Sequence, residues 1–378
     1  MRVYRKIALL ALLLVVSIGV NAKNFDNGQP DPDTLFCDNK EFTKTYNKTF
    51  DLTKNELVIL SNKYGKINVK TGSSNQAVIN VKVTAHANTQ SEAEKVFDRI
   101  NIAFSSGPDF VKAETDIESQ SWWNPNSCEY SIDYDVTMPA ANKLDVSNKY
   151  GDSQIATLND WVKIDQKYGN FKLEGAGTAT ISLAYGGGTI GKLNGLDGTV
   201  SYGKLSAPDI KNVSLKSKYS EFKFDKVDNL AIVSTYDDYD ISAVTNFTVD
   251  SKYGDIIVGT VENLAVKSDY SDFKIKKIET SADFDTKYGN VRIGSLKNNF
   301  GVVNIVGKYT DFIIDMEPSV SYQLDVKGTY SDVNRPASFK HTLDSEKGST
   351  KEIVGYVGSA NAKSLIKARL TYGDLVIR

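Results

Sequence analysis

Residues 213–224 read Val213-Ser-Leu-Lys-Ser-Lys-Tyr219-Ser-Glu-Phe222-Lys-Phe224, with apolar side chains at alternate positions before and after Tyr219. A period of two is typical of a half-buried β-strand. The same frame returns around Tyr253 and around Tyr270. Each segment therefore predicts two short strands that meet at a corner next to the tyrosine.

The tyrosine of this frame recurs at a fixed interval. Successive steps are 17 residues, with 18 at each end of the series Tyr150, Tyr168, Tyr185, Tyr202, Tyr219, Tyr236, Tyr253, Tyr270 and Tyr288. The step then lengthens to 21 at Tyr309 and Tyr330, and Tyr372 follows 42 residues later. A unit of this length, repeated about twelve times, is the signature of a solenoid. We predict an all-β fold: a single-stranded parallel β-solenoid, or β-helix, with about 17 to 21 residues per turn.

Apolar side chains keep fixed distances from the repeated tyrosine. They lie six and four residues before it, three and five residues after it, and eight residues after it, as at Leu230, Ile232 and Val244 around Tyr236. These positions predict the core. Because the tyrosine shares their alternation, we expect its ring to point inward as well. The Gly or Ser that follows is expected to make the corner, with Gly adopting a positive φ.

Two segments interrupt the repeat. Residues 77–138, between Tyr64 and Tyr150, predict a small inserted β-α-β-β cap near the N-terminus, with strands near 77–85, 109–117 and 129–138. Its helix is expected to start at a capping box formed by Ser91 and Glu94. Residues 337–362 predict a loop or hairpin within a solenoid domain of residues 44–378. We expect the cap to cover one end of the rod, since open strand edges invite pairing with other chains.

The N-terminus predicts export. Residues 1–22 combine Arg2, Arg5 and Lys6 with an apolar run and end in Val20-Asn21-Ala22, as in a secretory signal peptide. Residues 23–43 predict a flexible polar leader. Removing the signal leaves 42 basic against 47 acidic residues, a net charge of −5. Without a basic tract, nucleic acid is not expected as a partner. The predicted location is the periplasm, the cell surface or the extracellular space.

The chain contains two cysteines, Cys37 and Cys128. In an exported protein, a pair most simply predicts one disulfide, which would close a long loop and stabilise the fold. The alternative is two unpaired thiols.

The signal, the turn at Tyr64, the insertion and the repeated strands of the type Val-x-Val-x-Ser-Lys-Tyr-Gly-Asp-Ile-x-Val together resemble the bacterial putative-adhesin β-helix family, a secreted domain of unknown function. The likeness extends from about residue 50 to residue 378. It implies a β-helix and an adhesin-like role in the cell envelope, without implying a ligand.

Two features of the sequence are candidate binding sites. Carboxylates two residues after the tyrosine would form a column in stacked turns, where like charges repel unless a cation intervenes. Asp255 and Asp272 are the candidate ligands of such a Ca²⁺; the alternative is turn-favouring Asp paired with the lysines that precede the tyrosines. No other cofactor is expected. The second candidate is Trp122-Trp123, which would stack on sugars or else pack against the solenoid. The acidic column comprises Asp152, Glu221, Asp238, Asp255, Asp272, Asp311, Asp332 and Asp374.

These observations favour a non-enzymatic, adhesin-like or structural binding protein of the bacterial envelope, with a glycan or protein ligand. The alternative is a polysaccharide-degrading β-helix enzyme. An enzyme predicts one cleft of converging charged side chains that break the repeat, whereas a binding rod predicts uniform columns. Self-association through the C-terminal turn at Tyr372 is a third possibility.

Overall fold

The computed structural model describes residues 40–118 and 129–378. The predicted signal peptide and most of the predicted leader lie outside these residues. So do Cys37, Cys128, Trp122 and Trp123, and their predicted roles stay predictions. Within the described residues, no helix combines the length and the apolar character that crossing a membrane requires.

The described chain contains one helix and is otherwise built of strands. The helix α1 covers Gln90–Phe97. The strands are β1 (Lys40–Asp51), β2 (Leu57–Lys63), β3 (Ile67–Gly72), β4 (Gln76–Ala87), β5 (Ile100–Ser106), β6 (Phe110–Ile117), β7 (Tyr130–Pro139), β8 (Lys143–Lys149), β9 (Ser153–Ile155), β10 (Trp161–Lys167), β11 (Phe171–Gly175), β12 (Thr178–Ala184), β13 (Gly187–Ser201), β14 (Lys204–Lys218), β15 (Glu221–Thr235), β16 (Asp238–Lys252), β17 (Asp255–Asp269), β18 (Asp272–Ile293), β19 (Val302–Ile314), β20 (Tyr322–Thr329), β21 (Val333–Asn334), β22 (Lys340–Lys347), β23 (Thr350–Val357), β24 (Leu365–Thr371) and β25 (Leu375–Ile377).

The repeat is a parallel β-solenoid, as predicted. Strands β14 to β17 pair in parallel with an offset of 17 residues, so that Leu215 lies beside Ile232 and Ile232 beside Val249. The register shifts by one residue between Val261 and Asn263. This shift accommodates the 18-residue step from Tyr270 to Tyr288. The 21-residue step is absorbed by the segment between β18 and β19, where Phe300 is buried.

The predicted core positions are confirmed. The residues six and four before the tyrosine, three and five after it, and eight after it form continuous buried columns; in the turn around Tyr236 these include Leu230, Ile232, Tyr239 and Val244. Each turn alone has too small a core to fold, and stacking removes both of its faces from water. Stability therefore comes from contacts between neighbouring turns.

The prediction that the tyrosine rings point inward is wrong. All thirteen repeat tyrosines have left-handed backbone conformations, with φ from 52° to 61°, and their side chains are 41% to 61% exposed. A left-handed residue interrupts the alternation of the strand, so the ring turns outward and the next residue turns inward. The tyrosine itself, and not the following glycine, supplies the positive φ.

The glycine after the tyrosine instead allows the backbones of neighbouring turns to approach each other closely. A Cβ added to Gly254 would lie 2.1 Å from the carbonyl oxygen of Asp237 in the preceding turn, and one added to Gly151 would lie 1.9 Å from that of Gly65. The corner residues of neighbouring turns are therefore packed backbone to backbone at these positions.

The N-terminal insertion extends the rod as well as covering it. Strands β6 and β7 pair in parallel with β2 and β3 and so form one more turn. Strand β4 then pairs antiparallel with β7, and β1 pairs antiparallel with β4. The sequence did not indicate β5, which pairs antiparallel with β6. The N-cap of the helix is Thr89 and not Ser91: the Thr89 hydroxyl accepts from the Glu92 N–H, and the Glu92 carboxylate accepts from the Asn88 N–H.

At the other end, the order of turns in space differs from their order in the sequence. Strands β24 and β25 lie between β19 on one side and β20 and β21 on the other. Residues 337–362 contain the antiparallel hairpin β22–β23, which pairs with β20. Tyr372 is thus stacked between Tyr309 and Tyr330. The C-terminal turn is consequently not an open end of the rod.

Candidate functional site: longitudinal surfaces of the rod

The most regular exposed feature is a stack of tyrosine rings, which we call the tyrosine ladder. Successive ring centroids are 4.6 to 5.1 Å apart and the ring planes are within 12° of parallel. In spatial order the ladder contains Tyr64, Tyr150, Tyr168, Tyr185, Tyr202, Tyr219, Tyr236, Tyr253, Tyr270, Tyr288, Tyr309, Tyr372 and Tyr330.

Stacking offsets the strain of the corner. A left-handed backbone costs a non-glycine residue about 1–2 kcal/mol, and an aromatic pair contributes about 0.5–1.5 kcal/mol beyond its buried area. The two effects are of similar size, so the ladder can hold every corner in a conformation that a lone tyrosine would disfavour. Because each ring covers its neighbours, the ladder presents ring edges and hydroxyls to solvent, and the ring faces are largely unavailable to a ligand.

Buried polar side chains support the corner from inside. They lie two residues before the tyrosine and donate to carbonyls of the adjacent turn: Asn62 Nδ2 to Ile132 O at 2.8 Å, Asn148 Nδ2 to Gly65 O at 3.1 Å and Gln166 Nε2 to Gly151 O at 2.6 Å. Buried polar groups of this kind need partners. Their inward position follows from the strand alternation, a signal that was available in the sequence.

The acidic column runs beside the ladder, and most of its carboxylates accept hydrogen bonds from backbone N–H groups. Asp152 Oδ1 accepts from the Asn170 N–H at 2.8 Å, Asp272 Oδ1 from the Asn290 N–H at 2.7 Å, and Asp311 Oδ1 from Asp374 N–H at 2.9 Å. Among the described residues, no ion pair joins this column to the lysines that precede the tyrosines. Five of the eight carboxylates thus accept from a backbone N–H of a neighbouring turn: Asp152, Asp238, Asp272, Asp311 and Asp374. Glu221 and Asp332 instead form ion pairs with Lys204 and Lys351.

Asp255 and Asp272, the predicted Ca²⁺ ligands, are direct neighbours in the parallel register. Burial raises the pKa of Asp255, and the charges of Asp238 and Asp272 raise it further. The described residues include no group of three or more His, Cys, Asp or Glu side chains arranged to hold a metal. The calcium site stays a prediction.

One residue breaks the corner pattern. Asp237 occupies the position that Gly or Ser holds in most other turns, and it is 1% exposed. Its carboxylate accepts from Ser217 Oγ at 2.7 Å, Ser234 Oγ at 2.8 Å, and the N–H groups of Ser220 and Thr235 at 2.8 and 3.0 Å. Burial raises its pKa, and these hydrogen bonds act against that rise. Sealed inside the rod, Asp237 has the contacts of a structural residue.

A shallow groove, which we call the first-strand groove, follows the strands that precede the tyrosines. Its floor is a column of small exposed residues: Ser214, Ala231, Thr248 and Ala265. One wall is an amide ladder of Asn212, Asn229, Asn246 and Asn263, in which each Nδ2 donates to the Oδ1 of the preceding asparagine at 2.8 to 2.9 Å. The other wall contains Lys216, Val233, Asp250 and Lys267.

Trp161 lies at one end of this groove. It occupies the same column as the asparagines, three turns before Asn212, and its indole N–H donates to Thr180 Oγ1 at 3.2 Å. Trp161 is half-buried at the start of β10. The sequence did not reveal the groove, because the groove exists only when residues 17 apart line up.

Comparison with known proteins gives structural neighbours only. No family model matches the chain. No curated protein matches it either. A putative cell adhesion protein from Clostridium sporogenes is 9% identical, with 89% of this chain and 99% of that chain covered and a TM-score of 0.19. A putative adhesin from Bacteroides fragilis is 8% identical, with coverages of 89% and 97% and a TM-score of 0.22.

A putative lipid binding protein from Parabacteroides distasonis is 11% identical, with coverages of 88% and 96% and a TM-score of 0.24. Putative adhesins from Parabacteroides distasonis and Parabacteroides merdae are likewise similar, at 10% and 8% identity with TM-scores of 0.21 and 0.24.

Proposed function

We propose that this protein is an exported, non-enzymatic binding rod of the bacterial cell envelope, adhesin-like in its role. The observation that carries the proposal is the alignment of identical surface positions over the full length of the solenoid. Thirteen turns present one exposed tyrosine each at a spacing of 4.6 to 5.1 Å. Rigid repetition suits a ligand that is itself long and repetitive.

The stacking of turns also explains how such a surface gains affinity. Many weak contacts held at fixed spacing act as one multivalent site, because each contact after the first is intramolecular. A rod with in-register strands loses little conformational entropy on binding, since its surface is already ordered. Affinity should therefore depend on the number of turns.

Rod length is the variable that tests the proposal. Deleting residues 204–254 removes three repeats of 17 and joins positions that are equivalent in the register. We expect residues 23–378 to bind envelope fractions from a Gram-negative bacterium in a sedimentation assay, and the shortened protein to bind them at least tenfold more weakly. A deletion of residues 221–237, one repeat, serves as the matched control and should weaken binding far less.

Two results would overturn the proposal. One is the absence of binding to any envelope fraction, with or without Ca²⁺. The other is release of reducing ends from polysaccharide by the purified protein, which would favour the alternative of a polysaccharide-degrading enzyme. Circular dichroism of both deletion variants checks that the shortened rods are folded.

A further inference from the structure

We propose that the first-strand groove binds a linear, uncharged glycan along the axis of the rod, with one sugar unit per turn. The inference rests on the proposed binding function and names its ligand class. The chemistry of the groove walls, its length and the position of Trp161 carry it.

The part of the groove between Trp161 and Thr248 is nearly free of charge. Its floor and asparagine wall contain one charged side chain, Asp197, and the opposite wall adds Lys216, of opposite sign, in a protein of which 24% of residues are charged. An anionic polymer would require basic side chains here, and a cationic one would require several carboxylates. A neutral partner fits this lining best.

The wall offers hydrogen bonds in a regular series. Each asparagine of the amide ladder donates one Nδ2 hydrogen, Asn212 to Asn194 O and the others to the preceding asparagine. Each Oδ1 accepts one hydrogen bond, that of Asn263 from Ser281 Oγ. One donor and one acceptor per turn are left for a ligand. Sugar hydroxyls both donate and accept, and amide side chains match that capacity.

The repeat distance agrees with a sugar chain. Parallel strands are about 4.8 Å apart, which is close to the advance per unit in an extended chain of hexopyranoses. The five strand-to-strand steps from Trp161 to Asn246 would therefore span about 24 Å, the reach of six sugar units at one per strand. The small floor residues, such as Ala231 and Thr248, let a chain lie between the walls.

The groove lies on the face of the sheet, where a peptide cannot bind in its usual way. Extended peptides bind by adding to a free strand edge, where backbone groups are unpaired. In the groove, the strands are paired on both sides, as β15 is with β14 and β16. The groove therefore offers side chains alone, and Trp161 supplies the aromatic surface on which a sugar ring at the end of the chain can pack.

Isothermal titration calorimetry of residues 23–378 with cellohexaose, mannohexaose and chitohexaose tests the inference. We expect at least one of these neutral hexasaccharides to bind at least tenfold more tightly than its trisaccharide, and than hexagalacturonate. Ala231→Arg places a long charged side chain on the exposed floor and should weaken binding at least tenfold. Trp161→Ala should weaken it as well.

Ile257→Arg is the matched control, because Ile257 is an exposed strand residue on the face that follows the tyrosines. It should leave the affinity within twofold of the wild-type value. Equal weakening by Ile257→Arg and Ala231→Arg would overturn the inference. So would a dimer in light scattering that Ala231→Arg converts to a monomer, since a second copy would then occupy the groove.

The remaining outcomes separate the two proposals. If no neutral hexasaccharide binds while envelope fractions still do, the glycan inference fails and the binding function stands. If neither binds, both fail.

Discussion

At the scale of single residues, the left-handed tyrosine is the unusual choice, since glycine would adopt this conformation without strain. Tyr236 stacks on Tyr219 and Tyr253 with centroid distances of 4.9 and 4.8 Å. We expect Tyr236→Ala to lower the free energy of unfolding by about 1–3 kcal/mol, because two stacking contacts are lost. Tyr236→Gly loses the same contacts but adopts the positive φ freely, so its loss should be about 1 kcal/mol smaller.

Urea unfolding measures this difference, and Val233 is the control position. Val233 is exposed in an ordinary strand conformation, where Gly should be less stable than Ala by about 0.5–1 kcal/mol. If Tyr236→Gly were also less stable to unfolding than Tyr236→Ala, the backbone strain assigned to the tyrosine would be refuted.

The buried carboxylate of Asp237 gives a prediction about pH. Because burial raises its pKa in the folded state, the folded protein keeps the Asp237 proton at pH values where the unfolded chain has lost it. The contribution of Asp237 to stability is therefore greatest below its unfolded pKa of about 3.9 and falls as the pH rises through the folded pKa.

Asp237→Asn has no such titration. The stability of the wild type minus that of Asp237→Asn should thus decrease from pH 3 towards neutral pH, as measured by urea midpoints of both proteins at each pH. Other groups titrate equally in the two proteins and cancel. A difference that rises with pH would contradict the predicted direction.

At the scale of the strand and its corner, backbone contact between turns decides which side chains fit. A Cβ at position 254 would lie 2.1 Å from a carbonyl oxygen, so Gly254→Ala should destabilise the protein by about 1–3 kcal/mol through forced movement of the corner. At Gly195 the nearest atom, Thr178 Cγ2, is 3.4 Å away. Gly195→Ala should therefore be neutral or slightly stabilising. Thermal unfolding of the two variants compares them, and similar losses for both would argue against this account.

The strands and their inward side chains were predictable from the sequence, because alternation around Tyr219 or Tyr253 depends on local geometry alone. The direction of the tyrosine rings was not, since one left-handed residue reverses the alternation without any change in hydropathy. The spatial positions of β6 and β24 escaped prediction for a different reason. Their parallel partners are distant in the sequence, and pairing depends on the assembled rod. Strand β5 was missed although its partner β6 follows it directly in a hairpin.

At the scale of the whole molecule, the rod must keep its ends from pairing with other copies. Strand β22 forms an edge at the C-terminal end and contains Lys340, Asp344, Glu346 and Lys347, as charged edges do in proteins that resist aggregation. Replacing Lys340, Asp344 and Glu346 with Thr should produce association that increases with concentration.

Light scattering across a range of concentrations measures that association. The control replaces Lys223, Asp225 and Asp240 with Thr in β15 and β16, whose backbone is already paired on both sides. The control variant should associate no more than the wild type does at the same concentration. Equal association in both would show that lost surface charge, and not the open edge, is responsible.

The placement of β24 and β25 between β19 and β20 has a consequence for biosynthesis. The turns between residues 143 and 314 can fold one after another as the polypeptide is synthesised, because each pairs with the turn made just before it. Residues 322–334 cannot join the solenoid in this way, because they pair with strands β24 and β25 in residues 365–377, which are synthesised later. Closure of that end is therefore delayed until the last strands appear, and a nascent molecule halted before residue 365 would carry an unfinished terminus.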